Sequence, residues 1–421
     1  MRTLDCWDDT SAPTAGPRPG ETGDRPHLSE VVPARRLETP AGPCYVVRTD
    51  YPVYYHYGGR PISGASAASG TSLATLSRDE EFREASLSRA CFLDTETTGL
   101  SGGAGTYVFM VGLGYYDGDY FRVDQYFMDD YDEEPALVEA LDAALGEFEV
   151  LVTFNGKAFD LPLLDTRFIL SRKRPPLADR PHLDLLFPSR RLWGLRLESC
   201  RLTALEESIL GETRVGDIPG HLVPEHFFKY LRTRDPWLVK PVFDHNRQDV
   251  LSLAALAGVA CELVESYLDD PPPADLCEPL DIYGLARLYH AGGLHEPAAR
   301  CYRAALDRGL PRAFADRAGL ECVRLLRRLG RFSEAAGLCE RLADAYPRWM
   351  WALVELAKDL EHRLKDYGRA LQAVDRALGL LDSAVEPALT ESLEWRRARL
   401  ARKLERTLGT HRHSHQPSAP R

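Results

Sequence analysis

Residues 91–100 read CFLDTETTGL and decide the fold, because two acidic residues interrupt an apolar run that is typical of a buried strand. Side chains alternate between the two faces of a strand, so residues two apart share one face. Asp94 and Glu96 are therefore expected side by side. Two carboxylates in apolar surroundings repel each other and lose hydration unless a cation lies between them. The stretch predicts a buried strand that ends at a cation site.

Two further carboxylates stand in patterned surroundings, Asp160 in TFNGKAFDLPLL and Asp249 in DHNRQDVLSL. Oxygen ligands without a nearby Cys or His cluster favour Mg²⁺ or Mn²⁺ over Zn²⁺. Two such ions, about 3.5–4 Å apart, are typical of sites that transfer phosphoryl groups at phosphodiesters. One ion makes the attacking hydroxide, and both stabilise the charge on the leaving oxygen. The sequence therefore predicts two Mg²⁺ or Mn²⁺ ions.

Three motifs in this order resemble the DEDD exonucleases of the RNase H-like fold, and in particular the YprB-like domain that is followed by TPR-like helices. The motifs are Asp94–Leu100, Asn155–Asp160 and His245–Asp249, and the resemblance covers residues 28–270. It implies a metal-dependent 3′–5′ exonuclease that hydrolyses phosphodiester bonds at the 3′ end of DNA or RNA. It also implies which residues bind the two ions: Asp94, Glu96, Asp160 and Asp249.

The same resemblance implies a residue shortly before the last aspartate that positions or deprotonates the attacking water. One branch of the group has Tyr, three residues and Asp, and the other has His, four residues and Asp. Here His245 precedes Asp249 by the spacing of the first branch. Residues at i and i+4 share one helical face, and an imidazole, which titrates at about pH 6.5, suits a general base. The alternative for His245 is a solvated or capping side chain.

Substrate contacts are expected around the first two motifs, at Thr97, Gly99, Leu100 and Asn155. A flexible glycine lets the backbone approach a phosphate, and the resemblance implies that Leu100 wedges beside the terminal base. The alternative for Leu100 is an ordinary core position. Between the motifs, Asp184 is interpreted as a helix cap rather than as a residue that supports the catalytic side chains. Arg214 and Asp217, in GETRVGDIPG, are interpreted as part of a packed loop rather than as substrate contacts.

The net charge of −11 excludes a protein that coats nucleic acid by charge alone, so any polynucleotide contact must be local. Residues 167–201 are rich in arginine, which indicates either an ordinary arginine-rich surface or a rim that tracks phosphates. Nine cysteines without a CxxC pair favour reduced thiols in a cytoplasm. The start of the chain lacks a signal-like apolar run, and Val250–Cys261 is too short to span a bilayer. We expect a cytoplasmic protein without membrane contact.

The predicted fold class is an α/β RNase H-like domain, a mixed sheet flanked by helices, followed by an all-α domain of TPR-like helical repeats. The predicted boundaries are a disordered tail at 1–27, the exonuclease domain at 28–270, a Pro-rich linker at 271–278, the repeats at 279–406 and a disordered tail at 407–421. The sequence favours strands at 90–94, 107–116, 120–128 and 150–154, and helices at 133–148, 160–170, 201–210 and 241–267.

The repeats are visible as GGLHEPA, LGRFSEA and LKDYGRA at residues 292–298, 329–335 and 364–370. Their separation is close to the TPR period of about 34 residues. Such helical hairpins stack into a short solenoid that binds a partner protein or, alternatively, braces the first domain. Two functions besides the exonuclease stay open: a nucleic-acid-binding or scaffold protein that has lost turnover, and a structural endonuclease on the same fold.

Overall fold

The computed structural model describes residues 26–99, 105–177, 179–268, 278–381 and 386–413, with side chains up to residue 407. Leu100, the predicted linker at 271–277 and nearly all of the predicted N-terminal tail lie outside these residues. Within them, the strands are β1 (Ala34–Thr39), β2 (Gly42–Pro52), β3 (His56–Tyr57), β4 (Arg60–Pro61), β5 (Ala90–Thr97), β6 (Val108–Asp117), β7 (Tyr120–Phe127), β8 (Val150–Thr153) and β9 (His182–Asp184).

A seven-stranded mixed sheet organises the first part of the chain, in the order β1-β2-β7-β6-β5-β8-β9. β5 pairs in parallel with β8 and β8 with β9, while the other neighbours are antiparallel. β3 and β4 form a separate two-stranded hairpin. The predicted mixed sheet is confirmed, and the strand predicted at 90–94 extends to Thr97.

Helices cover both faces of this sheet. They are α1 (Leu28–Val31), α2 (Ser63–Ser66), α3 (Gly70–Ser77), α4 (Glu134–Leu145), α5 (Asp160–Leu170), α6 (Leu186–Leu192), α7 (Leu202–Leu205), α8 (Val223–Thr233) and α9 (Lys240–Glu265). Cys91 and Leu93 of β5 lie in an apolar cluster with residues of α4 and α8, whereas Phe92 lies in a second cluster with α9. Strand alternation therefore places Asp94 and Glu96 on the face that α9 covers. The helix predicted at 201–210 is α7 followed by a π-helical turn at Glu206–Leu210.

The second part of the chain is helical, as expected. Its helices are α10 (Pro279–Ala291), α11 (His295–Asp307), α12 (Arg312–Arg328), α13 (Phe332–Ala345), α14 (Met350–Asp359), α15 (Tyr367–Leu380) and α16 (Pro387–His413). Each packs against the next along the chain. Ala298, Ala335 and Ala370, the aligned small residues of the repeats, are all buried. The TPR-like character stays a prediction, and α16 continues to His413, beyond the predicted end of the repeats at 406.

The two parts share a continuous apolar core. α10 packs against α6, and a side chain at Gly284 of α10 would come within 2.5 Å of the carbonyl oxygen of Leu192. Arg196 forms an ion pair with Asp281 at 2.8 Å, and the hydroxyl of Tyr289 donates to the carbonyl oxygen of Val264 at the end of α9. The first repeat is therefore fixed directly on the sheet domain. No helix within the described ranges is long and apolar enough to cross a membrane.

Substitution of Gly284 by Ala tests this junction. The added methyl meets two carbonyl oxygens of α6, those of Leu192 and Arg191, so we expect the free energy of unfolding to fall by about 1–3 kcal/mol. Gly337→Ala is the matched control, because it lies inside α13 and, among the described residues outside its own helix backbone, no atom comes within 4 Å of the added methyl. Helix propensity should then raise the free energy of unfolding by up to about 1 kcal/mol. Chemical denaturation of both variants measures the opposite signs; equal effects would contradict the junction.

Glu361 ties the last helix to the rest of the helical region. Its side chain is fully buried and accepts from Arg396 at 2.6 Å and from Arg399 and Lys403 at 2.8 Å. All three cations belong to α16. Burial by itself raises the pKa of Glu361, but the hydrogen bonds from Arg399 and Lys403 outweigh it and lower that pKa to about 2.

We expect Glu361→Gln to lower the free energy of unfolding by about 3–5 kcal/mol at neutral pH, because breaking a buried ion pair leaves charges uncompensated. The pKa is lowered from 4.5, so the stabilisation is complete above pH 4.5 and is lost as the pH falls towards 2. Denaturation measured across this acid range should show a decline in the wild type that is weaker in the variant. The exposed Glu391→Gln should decline like the wild type. An identical decline in all three proteins would contradict this role.

Candidate active site

The end of β5 carries Asp94 and Glu96 opposite Gly112 and Met110 of β6. The pairing register shifts between Glu96 and Thr97, so the strand departs from its neighbour just after the second carboxylate. Glu96 is buried, and Asp94 is half-buried. The expectation that both lie on one buried strand is met.

Helix α9 closes over this strand end through Asn246. The Nδ2 amide of Asn246 donates to Oδ2 of Asp94 at 2.8 Å, and Gln125 of β7 donates to Oδ1 of Asn246 at 3.0 Å. The approach requires a glycine at position 112, since a Cβ there would come within 2.2 Å of Oδ1 of Asn246. Asn246 thus orients Asp94. Sequence reasoning did not select it, although it lies inside the third motif.

Asp160 begins α5 directly after the turn that contains the second motif. Oγ1 of Thr95 donates to its Oδ1, so the residue between the two β5 carboxylates also holds the third one. The turn is fixed by Asp184, which accepts from the backbone N–H of Asn155 at 2.7 Å and of Lys157 at 3.1 Å. Asp184 also accepts from the N–H of Leu186 at the start of α6. These contacts agree with the interpretation of Asp184 as a helix cap. They show that Asp184 also fixes the turn that contains the second motif.

The carboxyls of this site are electrostatically coupled. Burial raises the pKa of Asp94 well above its usual range, and the charge of Asp249 raises it further. Burial and the same neighbour raise the pKa of Glu96. The pKa of Asp160 is raised to about 6, chiefly by burial, although the hydrogen bond from Thr95 opposes the change. These carboxyls therefore retain protons at a higher pH than usual, and a bound cation would favour their ionised forms.

One buried oxygen of the site, Oε1 of Glu96, has no hydrogen-bond partner among the described residues. The charges of Asp249 and Asp160 both act on Glu96. An all-oxygen donor set of this charge fits Mg²⁺ or Mn²⁺ in its chemistry. In the parts of the chain that the structure describes, no three acidic, histidine or cysteine side chains stand ready to hold one ion. Asp94, Asp160 and Asp249 each accept from a protein donor, so a bound metal ion would have to displace some of these donors.

One of these donors is Arg214, from the loop at 211–220. Its buried guanidinium forms ion pairs with Asp249 and Glu206, and with Asp217 at 3.0 Å. Burial alone lowers the pKa of Arg214, but the charges of Asp249 and Glu206 outweigh it and raise that pKa. The sequence favoured a simple packed loop here, and the buried ion pairs agree with that interpretation. The loop also brings a cation and a carboxylate to the carboxylate cluster.

His245 lies on α9 one turn before Asp249, as the spacing predicted. Nδ1 of its ring is 2.8 Å from Oδ1 of Asp217, and Nε2 is 3.8 Å from Oδ2 of Asp249. The ring is largely buried. It is therefore neither solvated nor a helix cap, and its Nε2 faces the carboxylate cluster.

The predicted substrate residues are placed as follows. Oγ1 of Thr97 donates to the carbonyl oxygen of Gly99 at 2.9 Å, which orders the backbone after β5. Among the described residues, a Cβ at Gly99 would meet only Oγ1 of Thr106, at 3.7 Å. Asn155 has a positive φ of 64° and an exposed side chain. Leu100 lies outside the described residues.

The arginine-rich stretch at 167–201 is largely engaged in internal contacts. Arg167 pairs with Glu134, Lys173 pairs with Asp142 at 2.6 Å, and Arg196 pairs with Asp281. Arg180 and Arg191 donate to backbone carbonyl oxygens, and Arg174 pairs with Asp179. These contacts favour the structural interpretation of the stretch over a rim that tracks phosphates.

Comparisons with known proteins show what this chain is similar to. The family described as RNase_H superfamily matches residues 91–261, a range that contains Asp94, Glu96, Asp160, His245 and Asp249. The uncharacterised protein YprB of Bacillus subtilis (strain 168) is 36% identical over 320 residues, which cover 74% of each chain. A solved family B DNA polymerase from the hyperthermophilic archaeon Pyrobaculum calidifontis is 16% identical with a TM-score of 0.32, covering 48% of this chain and 29% of the polymerase.

The raised pKa values predict that protons compete with a metal ion. Binding of Mn²⁺ should weaken as the pH falls below about 6, by up to about tenfold per pH unit for each proton displaced. Glu96→Gln should weaken binding at neutral pH, because it removes a negative charge from the buried donor set. Free Mn²⁺ measured by electron paramagnetic resonance, between about pH 5 and pH 8, tests both expectations.

The control is Asp132→Asn, an exposed aspartate in the turn before α4, which should bind Mn²⁺ like the wild type. Affinity that does not change with pH would contradict the competition. Wild-type affinity in Glu96→Gln would contradict the donor set.

Proposed function

The chain belongs to the RNase H superfamily, and on this premise we propose that it is a metal-dependent 3′–5′ exonuclease that hydrolyses phosphodiester bonds of nucleic acid. Superfamily membership suggests nuclease activity, and RNase H-like nucleases usually use divalent metal ions. The direction of attack and the use of two ions follow from the resemblance of the three motifs to the DEDD group.

One observation carries the proposal. Three segments far apart in sequence bring carboxylates to the end of β5, where the charges of Asp249 and Asp160 act on Glu96 and Asp94. Burying like charges together costs stability, and no packing purpose in the surrounding core requires it. A function that uses a bound cation explains the arrangement.

In this proposal Asp94, Glu96, Asp160 and Asp249 would hold two Mg²⁺ or Mn²⁺ ions. When bound, the ions would make water a stronger nucleophile and stabilise charge on the leaving oxygen. His245 accepts the proton of the attacking water at Nε2, the ring nitrogen that faces the cluster. The substrate strand would lie along Thr97, Gly99, Leu100 and Asn155.

A second candidate is a nucleic-acid-binding or scaffold protein without turnover. The ion pair between Arg214 and Asp249 favours it, because a protein cation already neutralises one of the four carboxylates. The two candidates differ in one respect: the exonuclease must release Asp249 from Arg214 to a metal ion, and the scaffold need not.

The helical region serves a separate proposed role as a TPR-like partner-binding surface. The contacts of α10 with α6 support the alternative of a brace for at least the first repeat, because they fix it on the sheet domain. The later helices, α12 to α16, are the segment proposed to bind a partner protein.

The assay uses single-stranded DNA and RNA labelled at the 3′ or the 5′ end, incubated with purified protein and Mn²⁺ or EDTA. We expect metal-dependent shortening from the 3′ end. Asp94→Asn should reduce it by more than about 100-fold, because loss of a ligand exceeds the usual effect of losing a supporting residue. The same gel identifies the preferred sugar.

Asp132→Asn serves again as the control and should cleave like the wild type. Internal products would instead indicate the structural endonuclease. Binding without cleavage across all substrates would favour the scaffold, and cleavage that persists in EDTA or in Asp94→Asn would overturn the metal-dependent mechanism.

A further inference from the structure

A buried polar chain leads from the π-helical turn at 206–210 to His245. Oγ of Ser252 donates to Glu206, and Glu206 accepts from Nε of Arg214 at 2.7 Å. Nη1 of Arg214 donates to Oδ2 of Asp217 at 3.0 Å, and Asp217 contacts Nδ1 of His245. Each contact in this series of hydrogen bonds joins a donor to an acceptor, so the series has one preferred arrangement of protons.

Asp217 fixes the proton of the imidazole. Nδ1 of His245 lies 2.8 Å from Oδ1 and 2.9 Å from Oδ2 of Asp217, and 3.4 Å from Nη1 of Arg214. Asp217 also accepts from the backbone N–H of Ile218 at 2.9 Å, so donors surround its carboxylate. Carboxylate oxygens act as acceptors towards a ring N–H, so the two short contacts favour the proton on Nδ1. In the neutral ring, Nε2 then keeps its lone pair.

The free nitrogen is directed at the proposed catalytic centre. Nε2 is 3.8 Å from Oδ2 of Asp249. This distance is too long for a direct hydrogen bond, but it allows one water molecule to donate to both atoms. A Cβ at Gly220, at the end of the same loop, would lie 3.7 Å from Nε2. The loop at 211–220 therefore contacts the ring at Nδ1 through Asp217, and its last residue passes close to Nε2.

We propose that Asp217 is a positioning residue, which holds the imidazole of His245 in the Nδ1–H tautomer with Nε2 directed at the attacking water, and that Arg214 anchors Asp217. This rests on the proposed nuclease function. It deepens that function by assigning the loop at 211–220 to the orientation of the general base. A base needs an unprotonated nitrogen within reach of the proton it removes, and a partner at the other nitrogen supplies it.

Substitution by asparagine separates position from charge. Asp217→Asn keeps the size of the side chain but replaces one of its acceptor oxygens by a donor NH₂ group. Nδ1 contacts both terminal atoms of this side chain, so the Nδ1–H tautomer loses its preference in the variant. The proton is then on Nε2 in part of the molecules. The nitrogen that faces the water is then blocked in that fraction.

The first measurement is the tautomer of His245 by nitrogen-15 NMR of the full-length protein labelled at histidine, without metal or substrate. His245→Gln assigns the signal among the twelve histidines. We expect Nδ1–H in the wild type and a shift towards Nε2–H in Asp217→Asn. A wild-type ring protonated at Nε2 would overturn the proposal without any variant, and so would a tautomer that Asp217→Asn leaves unchanged.

The second measurement is the kinetics of Asp217→Asn on the labelled strand. We expect kcat to fall by about 10–100-fold with KM unchanged, the usual effect of removing a group that orients a catalytic one. The matched control is Asp244→Asn, which removes the same charge beside His245 but pairs with Lys240 and Arg247 along α9. It should keep both the tautomer and kcat.

The two proposals fail differently. Nδ1–H in the wild type without cleavage of any substrate would overturn the nuclease and retain the Asp217–His245 contact. Cleavage by the wild type with full kcat in Asp217→Asn would retain the nuclease and overturn the positioning role.

Discussion

Repulsion among the carboxylates at the end of β5 is the constraint on which the arrangement of the site depends. Burial and like charge both disfavour the ionised forms of Asp94 and Glu96, so each neighbouring carboxylate must be held by a specific donor. Asn246 holds Asp94, Thr95 holds Asp160, and Arg214 holds Asp249. Glu96 has one oxygen that no donor of the described residues reaches. Negative charge without a compensating donor is therefore concentrated at Glu96.

Helix α9 relates this constraint to the rest of the molecule. Its 26 residues span about 39 Å, with His245, Asn246 and Asp249 in the first half and Val264 at the far end. The first half reaches the strand only because Gly112 leaves room for Asn246. The second half receives the hydroxyl of Tyr289 from the helical region. One rigid element thus contacts the site at one end and the repeats at the other, and a displaced first repeat would act on α9 directly.

Local pattern predicted those parts of the site that depend on local geometry. The period of a strand placed Asp94 beside Glu96, and the i,i+4 rule placed His245 beside Asp249, and both placements hold. The contacts of Arg214 and Asp217 with α9 join residues 28 to 35 positions apart, for which neither periodicity nor composition carries a signal. The best signal for Arg214 and Asp217 in the sequence was that these two opposite charges lie three residues apart in a short loop. For the same reason the sequence left a phosphate rim at 167–201 open, because the acidic partners of Arg167 and Arg196 lie outside that stretch.

Charge balance at the site also bears on the order of events in the proposed nuclease. Among the described residues, six carboxylates lie at or near the site, those of Asp94, Glu96, Asp160, Glu206, Asp217 and Asp249, and Arg214 forms ion pairs with the last three. The whole chain carries −11, so no general attraction compensates for this local excess. A phosphodiester is itself an anion and is repelled by such a cluster. In the proposed nuclease, cations would therefore enter before the substrate or together with it. If Asp249 turned to a metal ion, Arg214 would remain paired with Glu206 and Asp217 and would still anchor the partner of His245.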